Sequence, residues 1–164
     1  MPLQHIAVRP DGDVRLAPYG VIFPVTPGDE RISIPLEHTG ATGRGVFTAT
    51  VICARSSRAA GPISGMERHP HSVQAFVPLG AYRLVAVAAS GGEPPTEPGQ
   101  LAALYIPAGW GFAWHPGVWH TGMMGDGMDA ALVSMVRRIP DGSDTETITL
   151  PFSFNPAEPH AHGK

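Results

Sequence analysis

Glycine and proline interrupt this chain at short intervals, with 20 glycines and 18 prolines among 164 residues. Proline removes a backbone donor and clashes with the preceding helical turn, and glycine weakens a helix through conformational entropy. Long helices are therefore excluded. Apolar and β-branched runs between these breakers favour strands. The pattern predicts an all-β fold of roughly eight or more short strands, arranged as a jelly-roll sandwich or barrel.

The predicted strands are the apolar or alternating runs that lie between turn residues. In chain order they are residues 2–8, a strand entered through a turn at 17–22, then 31–36, 46–53, the apolar run 75–79 that ends at Gly80, 82–89, 101–106, 130–136 and 145–152. The polar segment 56–65 is predicted to be a flexible connection, 26–30 a surface loop, and 91–99 an exposed loop, because its glycines and prolines cannot build a ladder. Residues 155–164 are expected to form a C-terminal tail.

Length and composition limit the classes of function. A chain of 164 residues with 43% hydrophobic content suits one domain spanning residues 1–164. A net charge of −3 and a charged fraction of 15% lack the basic surface that nucleic acid requires, so a small-molecule ligand is expected instead. Cys53 stands alone, which excludes an internal disulfide and favours a reducing compartment. With neither a signal peptide nor a membrane-spanning run in view, we expect a cytoplasmic protein without membrane contact.

Side chains suited to metal binding or proton transfer are concentrated in one stretch. Glu67 and His69 are one residue apart, so they share a face in a strand, while Arg68 points away. A bend over residues 70–72 could set Gln74 beside that pair. The sequence therefore predicts a polar site inside the barrel at this point of the chain.

The order of these residues is similar to the first motif of the cupins, in which two ligands one residue apart precede a third ligand and a glycine. Gly117-Val118-Trp119-His120 matches the second cupin pattern of a glycine, two residues and a histidine. The resemblance implies a cupin-like jelly-roll β-barrel. It also implies a metal-binding tetrad for a divalent ion of unknown identity, made of Glu67, His69, Gln74 and His120.

Structural roles for the same side chains remain open. A histidine in a core is often hydrogen-bonded rather than a ligand, which applies to His69 and His120. Arg68 or Arg137 could neutralise Glu67 as a structural pair, since an unpaired buried carboxylate is costly. The remaining candidates are interpreted structurally: His71 and His115 as loop residues, Trp110, Trp114 and Trp119 as walls of the core and pocket, and His160 and His162 as a weak adventitious metal site.

A closer resemblance covers most of the chain. Glu67-Arg68-His69-Pro70, followed by Gln74-Ala75-Phe76-Val77-Pro78, resembles the signature of the ureidoglycolate lyase family. The segments 115–120, 18–20 and 142–144 also resemble parts of that family. The resemblance implies a cupin, typically a homodimer, that splits ureidoglycolate into glyoxylate and urea in purine and allantoin catabolism.

The implied reaction suits these residues. Ureidoglycolate is a carbinolamide, and its cleavage needs a base for the hydroxyl proton, an acid for the leaving nitrogen and a cation for the carboxylate. Glu67 or His120 could be the base. A divalent metal on His69 and His120 could act as a Lewis acid. An arginine would bind the carboxylate, with Arg55 and Arg137 as candidates because each lies on or beside a predicted strand.

Two other classes of function remain open at this stage. A cupin enzyme could act on another small hydroxy or keto acid, or use iron with dioxygen. Gln74 argues against iron, because a neutral amide is a poor ligand for transition metals. A non-catalytic cupin that binds a small ligand would need no acid or base, so turnover separates it from the enzymes.

Overall fold

Two β-sheets account for most of the protein in the computed structural model, which describes residues 2–9, 14–25 and 45–156. The strands of these residues, in chain order, are β1 Gln4–Ala7, β2 Gly20–Pro24, β3 Val46–Ala54, β4 Ile63–Arg68, β5 Gln74–Pro78, β6 Leu84–Ala89, β7 Leu101–Ile106, β8 Trp110–Trp114, β9 Trp119–His120, β10 Met124–Gly125, β11 Ala130–Arg138 and β12 Glu146–Phe154. Helix α1, Ser56–Ala59, lies between β3 and β4, and single 3-10 turns occur at Val14–Leu16 and Pro98–Gln100. No helix within these ranges is long and apolar enough to span a membrane.

The first sheet has the strand order β1-β7-β6-β9-β4-β12, with β10 also paired to β6. The second sheet has the order β2-β8-β5-β11-β3. Only the β1–β7 pair among the described ladders is parallel. Because β4 and β5 are consecutive but belong to different sheets, the chain crosses between the sheets at residues 69–73.

Alternation along the strands creates a core between the two sheets. On β6, Leu84, Ala86 and Ala88 face this core, where they join Phe112 of β8 and Leu132 of β11. The opposite face of the first sheet is also apolar, and a second cluster there includes residues of β6, β7, β9 and β12. Since β6 and β7 are buried on both faces, their sequences read as continuous apolar runs rather than as alternating ones.

The structure confirms the predicted all-β fold, with two sheets that are consistent with a cupin-like architecture. No ladder among the described strands joins the two sheets into a closed barrel. The prediction of a flexible connection at residues 56–65 is wrong, because this segment contains α1 and the start of β4. Strand β8 was not predicted, although its sequence Trp-Gly-Phe-Ala-Trp has aromatic side chains at alternate positions. The predicted loop 26–30, the strand 31–36 and most of the tail lie outside the described residues.

Candidate functional site

Four polar side chains from both sheets meet at one end of the core. Glu67 on β4 is directly opposite His120 on β9, so the two side chains share the inner face of the first sheet. Gln74 begins β5 in the second sheet and lies across the core from them. The chain crosses between the sheets at His69, which follows β4. The candidate site therefore forms where the two sheets are connected.

His69 is 3% exposed and held in one orientation. Its Nδ1 lies 2.9 Å from the backbone carbonyl oxygen of Asp144, to which it donates a hydrogen bond. This bond places the ring proton on Nδ1 and leaves a lone pair on Nε2. Nε2 is buried and has no hydrogen-bond partner. An oriented imidazole with a free, buried Nε2 is the arrangement that metal-binding histidines adopt.

Asp144 holds the bend that carries His69. Its carboxylate is 1% exposed. One oxygen accepts a hydrogen bond of 2.8 Å from the backbone amide of His71, and the other accepts one from the hydroxyl of Ser72. The same residue therefore fixes His69 through its carbonyl and the following bend through its side chain.

His120 is fully buried, and burial keeps its ring neutral. Its Nδ1 lies 2.8 Å from the carbonyl oxygen of Val118. Its ring stacks on Trp114, with centroids 4.8 Å apart and an angle of 15° between the planes. Burial lowers the pKa of His120 to about 3, against the Val118 carbonyl, which raises it, and with a further lowering by His69. The ring is therefore neutral at physiological pH.

Neutrality of His120 determines how Gln74 is oriented. A neutral imidazole carries one N–H, and His120 donates it from Nδ1 to Val118, so Nε2 must act as an acceptor. Nε2 lies 2.8 Å from the Oε1 position of Gln74. Two acceptors cannot pair, and therefore the amide of Gln74 directs its NH₂ group at His120 when the ring is neutral.

Glu67, His69 and His120 could together hold a metal ion. One potential ligand atom from each residue lies within 4.8 Å of the others. The Glu67 carboxylate is 3.8 Å from Nε2 of His120. Imidazole and carboxylate groups are common ligands of divalent transition metals, and the unpartnered Nε2 of His69 leaves one donor ready. The donor set therefore fits a divalent ion.

The cluster opens into a cleft of about 360 Å³ whose lining includes Glu67 and His120. Arg58 of α1 also lines it, together with Thr121 and Gly122, which follow β9. The Glu67 side chain is 35% exposed, whereas His120 is 1% exposed. Glu67 is therefore the more accessible of the two to a molecule in the cleft.

Neither of the two arginines proposed from sequence lines the cleft at the cluster. Arg55 is exposed and forms an ion pair of 2.7 Å with Asp129. Arg137 lies between Val136 and Arg138 on β11, where alternate side chains are buried, and Val136 is one of the buried ones. Alternation turns the Arg137 side chain to the other face of the sheet, where it packs against Gly45.

The structure also places the other residues named from sequence. His71 and His115 are exposed, while Trp114 and Trp119 are buried in the core. Arg68 pairs with Glu146 at 2.6 Å and lies over the ring of Trp119, so it does not neutralise Glu67.

Sequence reasoning missed Asp144 and Arg58. The sequence pointed to Asp144 only as part of a segment similar to the family. An aspartate after Gly-Ser is a common turn residue, and nothing in the neighbouring sequence indicates that it is buried. Arg58 lies in the segment predicted to be a flexible connection. Neither residue is within five positions of the cluster in sequence, so only the folded chain brings them to it.

Comparison with known proteins agrees with this geometry. No curated protein matches the chain. The family model for ureidoglycolate lyase matches residues 33–155, a segment that contains all four residues of the predicted tetrad. The match covers well over half of the sequence and does not favour the other cupin functions. The chain therefore belongs to the ureidoglycolate lyase family, whose members are carbon–nitrogen lyases of purine and allantoin catabolism.

Proposed function

We propose that the protein cleaves ureidoglycolate into glyoxylate and urea in the cleft that Glu67 and His120 line. The observation that carries this proposal is the convergence of Glu67, His69 and His120 within 4.8 Å. These residues meet beside an open cleft and inside the segment that matches the family. A cluster of this kind supplies the proton transfer that a carbinolamide needs.

The reaction moves one proton and breaks one carbon–nitrogen bond. The hydroxyl group of the substrate loses its proton, and its oxygen forms the carbonyl of glyoxylate. The electron pair of the carbon–nitrogen bond passes to the ureido nitrogen, which takes up a proton and leaves as urea. The reaction has no net proton change, so one side chain can accept the proton and return it.

Glu67 is the residue to which we assign this proton transfer. Its carboxylate reaches the cleft and is partly exposed. His120 is 1% exposed, and burial lowers its pKa to about 3, so its ring accepts a proton less readily than an ordinary histidine. Positioned proton transfer contributes roughly a hundredfold to ten-thousandfold in rate.

His69, His120 and Gln74 organise the site around Glu67. The Asp144 carbonyl orients His69, and Val118, Gln74 and Trp114 hold His120. The imidazole of His120 lies 3.8 Å from the Glu67 carboxylate, and its edge limits where that carboxylate can move.

A divalent metal is the cofactor that this donor set would accept. Glu67, His69 and His120 would hold it, with Gln74 as a fourth donor after rotation of its amide. Such an ion would supply Lewis-acid stabilisation to the developing alkoxide.

The proposed activity also has consequences for the domain, location and assembly of the protein. We propose one cupin-like domain over residues 1–164, acting in the cytoplasm on a small molecule without nucleic acid or membrane partners. A homodimer is supported by exposed apolar side chains on the edge strand β3, where Val46, Phe47 and Val51 are 65%, 51% and 70% exposed. Sedimentation of the purified protein measures this state directly.

A coupled assay tests the proposed reaction. Purified protein should release glyoxylate and urea from ureidoglycolate in equal amounts. Replacing Glu67→Gln keeps the shape of the side chain and removes the proton acceptor, so kcat should fall by about a hundredfold or more. His120→Ala should also lower kcat strongly.

Glu93→Gln is the matched control, because Glu93 lies in the exposed loop after β6 and outside the cleft. Its kcat should equal that of the wild-type protein. Circular dichroism should show the same β-rich spectrum for each variant. Wild-type turnover in both Glu67→Gln and His120→Ala would place the base elsewhere, and no release of urea by the wild-type protein would refute the proposed function.

A further inference from the structure

The cleft at the cluster continues into a second cavity beside α1. This cavity has a volume of about 410 Å³ and shares Arg58, Gly65, Thr121 and Gly122 with the first. The two therefore form one channel from Glu67 and His120 toward α1. Arg58 is the basic side chain that lines both parts of it.

The proposed substrate requires a cation in such a channel. Ureidoglycolate carries a carboxylate on the same carbon as the reacting hydroxyl and ureido groups. When that carboxylate leaves water, a charged donor has to replace its hydration. A guanidinium does this well, because it presents two parallel N–H groups to the two carboxylate oxygens. The cation must also lie close to Glu67, since the reacting carbon is directly bonded to the carboxylate.

Arg58 is available for this role. It is exposed on α1, and within the described part of the chain its guanidinium makes no hydrogen bond or ion pair. Three other arginines are already paired with carboxylates: Arg55 with Asp129, Arg68 with Glu146 and Arg83 with Asp126.

The backbone around Arg58 also suits a binding role. Asp129 accepts hydrogen bonds from the guanidinium of Arg55 and from the amide and hydroxyl of Ser56. These contacts tie the start of α1 to the loop before β11. Arg58 follows two residues later, so its backbone is anchored while its long side chain can turn toward the channel.

We propose that Arg58 binds the carboxylate of the substrate and sets the preference of the site for carbinolamides that carry a carboxylate. This inference rests on the proposed function and replaces Arg55 and Arg137 as carboxylate-binding residues. Arg58 acts on binding, whereas Glu67 acts on proton transfer, so substitutions of the two should affect different kinetic constants.

Kinetics of Arg58→Met test the role, because methionine keeps an unbranched chain and removes the charge. KM for ureidoglycolate should rise by about tenfold to a hundredfold, the range expected for loss of hydrogen bonds to a charged group, with a much smaller change in kcat. Arg58→Lys keeps the charge without the two parallel donors and should recover part of the affinity. Arg83→Met is the control, since Arg83 is an exposed arginine outside the channel, and its KM should stay at the wild-type value.

Hydroxymethylurea separates carboxylate binding from chemistry. It is the same carbinolamide without the carboxylate and splits into formaldehyde and urea. The wild-type protein and Arg58→Met should have the same kcat/KM for it, because Arg58 has no group to bind. A large loss for this compound in Arg58→Met would overturn the assignment.

Oxalurate allows the binding of a carboxylate to be measured without turnover. This analogue carries the carboxylate and the ureido group but has a carbonyl in place of the hydroxyl-bearing carbon centre. By calorimetry, the wild-type protein should bind it, and Arg58→Met should bind it about tenfold or more weakly. Equal affinities in the two proteins, or no binding to the wild-type protein, would overturn the inference. A wild-type protein that binds oxalurate through Arg58 but does not cleave ureidoglycolate would refute the proposed function alone.

Discussion

A neutral, buried histidine is the residue on which the candidate site depends. His120 is enclosed by Trp114, Gln74 and the carbonyl of Val118, and burial lowers its pKa to about 3. In the unfolded chain the same ring has an ordinary pKa near 6.5. Folding therefore prevents protonation of His120 over several pH units, and stability has to depend on pH in that range.

We expect metal-free protein to lose stability as the pH falls from 6.5 toward 3. In this window the unfolded chain binds a proton at His120 and the folded chain does not, so acid favours unfolding. The contribution lost between pH 6.5 and pH 5 should be about 2 kcal/mol. Urea denaturation with a chelator present, compared between the wild-type protein and His120→Gln, measures it. Between pH 6.5 and pH 5 the free energy of unfolding should fall more for the wild-type protein than for His120→Gln. An equal fall in the two proteins would contradict the lowered pKa.

The connection between β4 and β5 is the element that assembles the site. It carries His69 and crosses between the sheets, and Asp144 from the loop before β12 fixes it through three hydrogen bonds. The two donors from His71 and Ser72 each need an acceptor oxygen, and the carboxylate provides both. Few other side chains can satisfy two donors in this way while buried.

Asp144→Asn should therefore destabilise the protein. Asparagine keeps one oxygen for the amide of His71, and its NH₂ group would have to donate to the hydroxyl of Ser72, so two hydrogen bonds to a charged carboxylate become weaker neutral ones at a cost of about 1–3 kcal/mol. Loss of orientation at His69 should also lower kcat at temperatures where the variant is folded. Asp141→Asn is the control, because asparagine keeps the oxygen that accepts from the amide of Ser143. Denaturation curves and kcat for both variants test this, and equal values for Asp144→Asn and wild type would exclude the positioning role.

At the scale of the whole molecule, the two sheets leave a channel between the cluster and α1. The core between the sheets is closed by large apolar side chains such as Trp114, Phe112 and Leu132. The channel is lined by polar and apolar side chains together with glycines, and Gly65 and Gly122 border both of its parts. A Cβ atom added at Gly122 would meet nothing within 4 Å, so this position borders open space.

Gly122→Leu should block the channel without disturbing the fold. The new side chain has room to extend into the cleft, where it would occupy space that the substrate needs, and kcat/KM should fall by about tenfold or more, equivalent to about 1.4 kcal/mol. Gly122→Ala should have a smaller effect. Gly92→Leu is the control, because Gly92 also borders open space but lies in an exposed loop. If Gly122→Leu and Gly92→Leu both retain wild-type kcat/KM, the substrate does not use this channel.

The sequence by itself determined the all-β class, because glycine, proline and alternating apolar residues act on the backbone locally. Its short motifs also singled out Glu67, His69, Gln74 and His120, whose side chains the fold brings together. It did not reveal strand β8, whose pairing with β2 and β5 depends on distant segments. Asp144 and Arg58 acquire their roles only through contacts across the fold. Asp144 meets His71 from 73 positions away, and Arg58 lines the cleft at the cluster because α1 packs near β10. Tertiary structure decided these features because hydrogen bonding and burial depend on spatial neighbours rather than sequence neighbours.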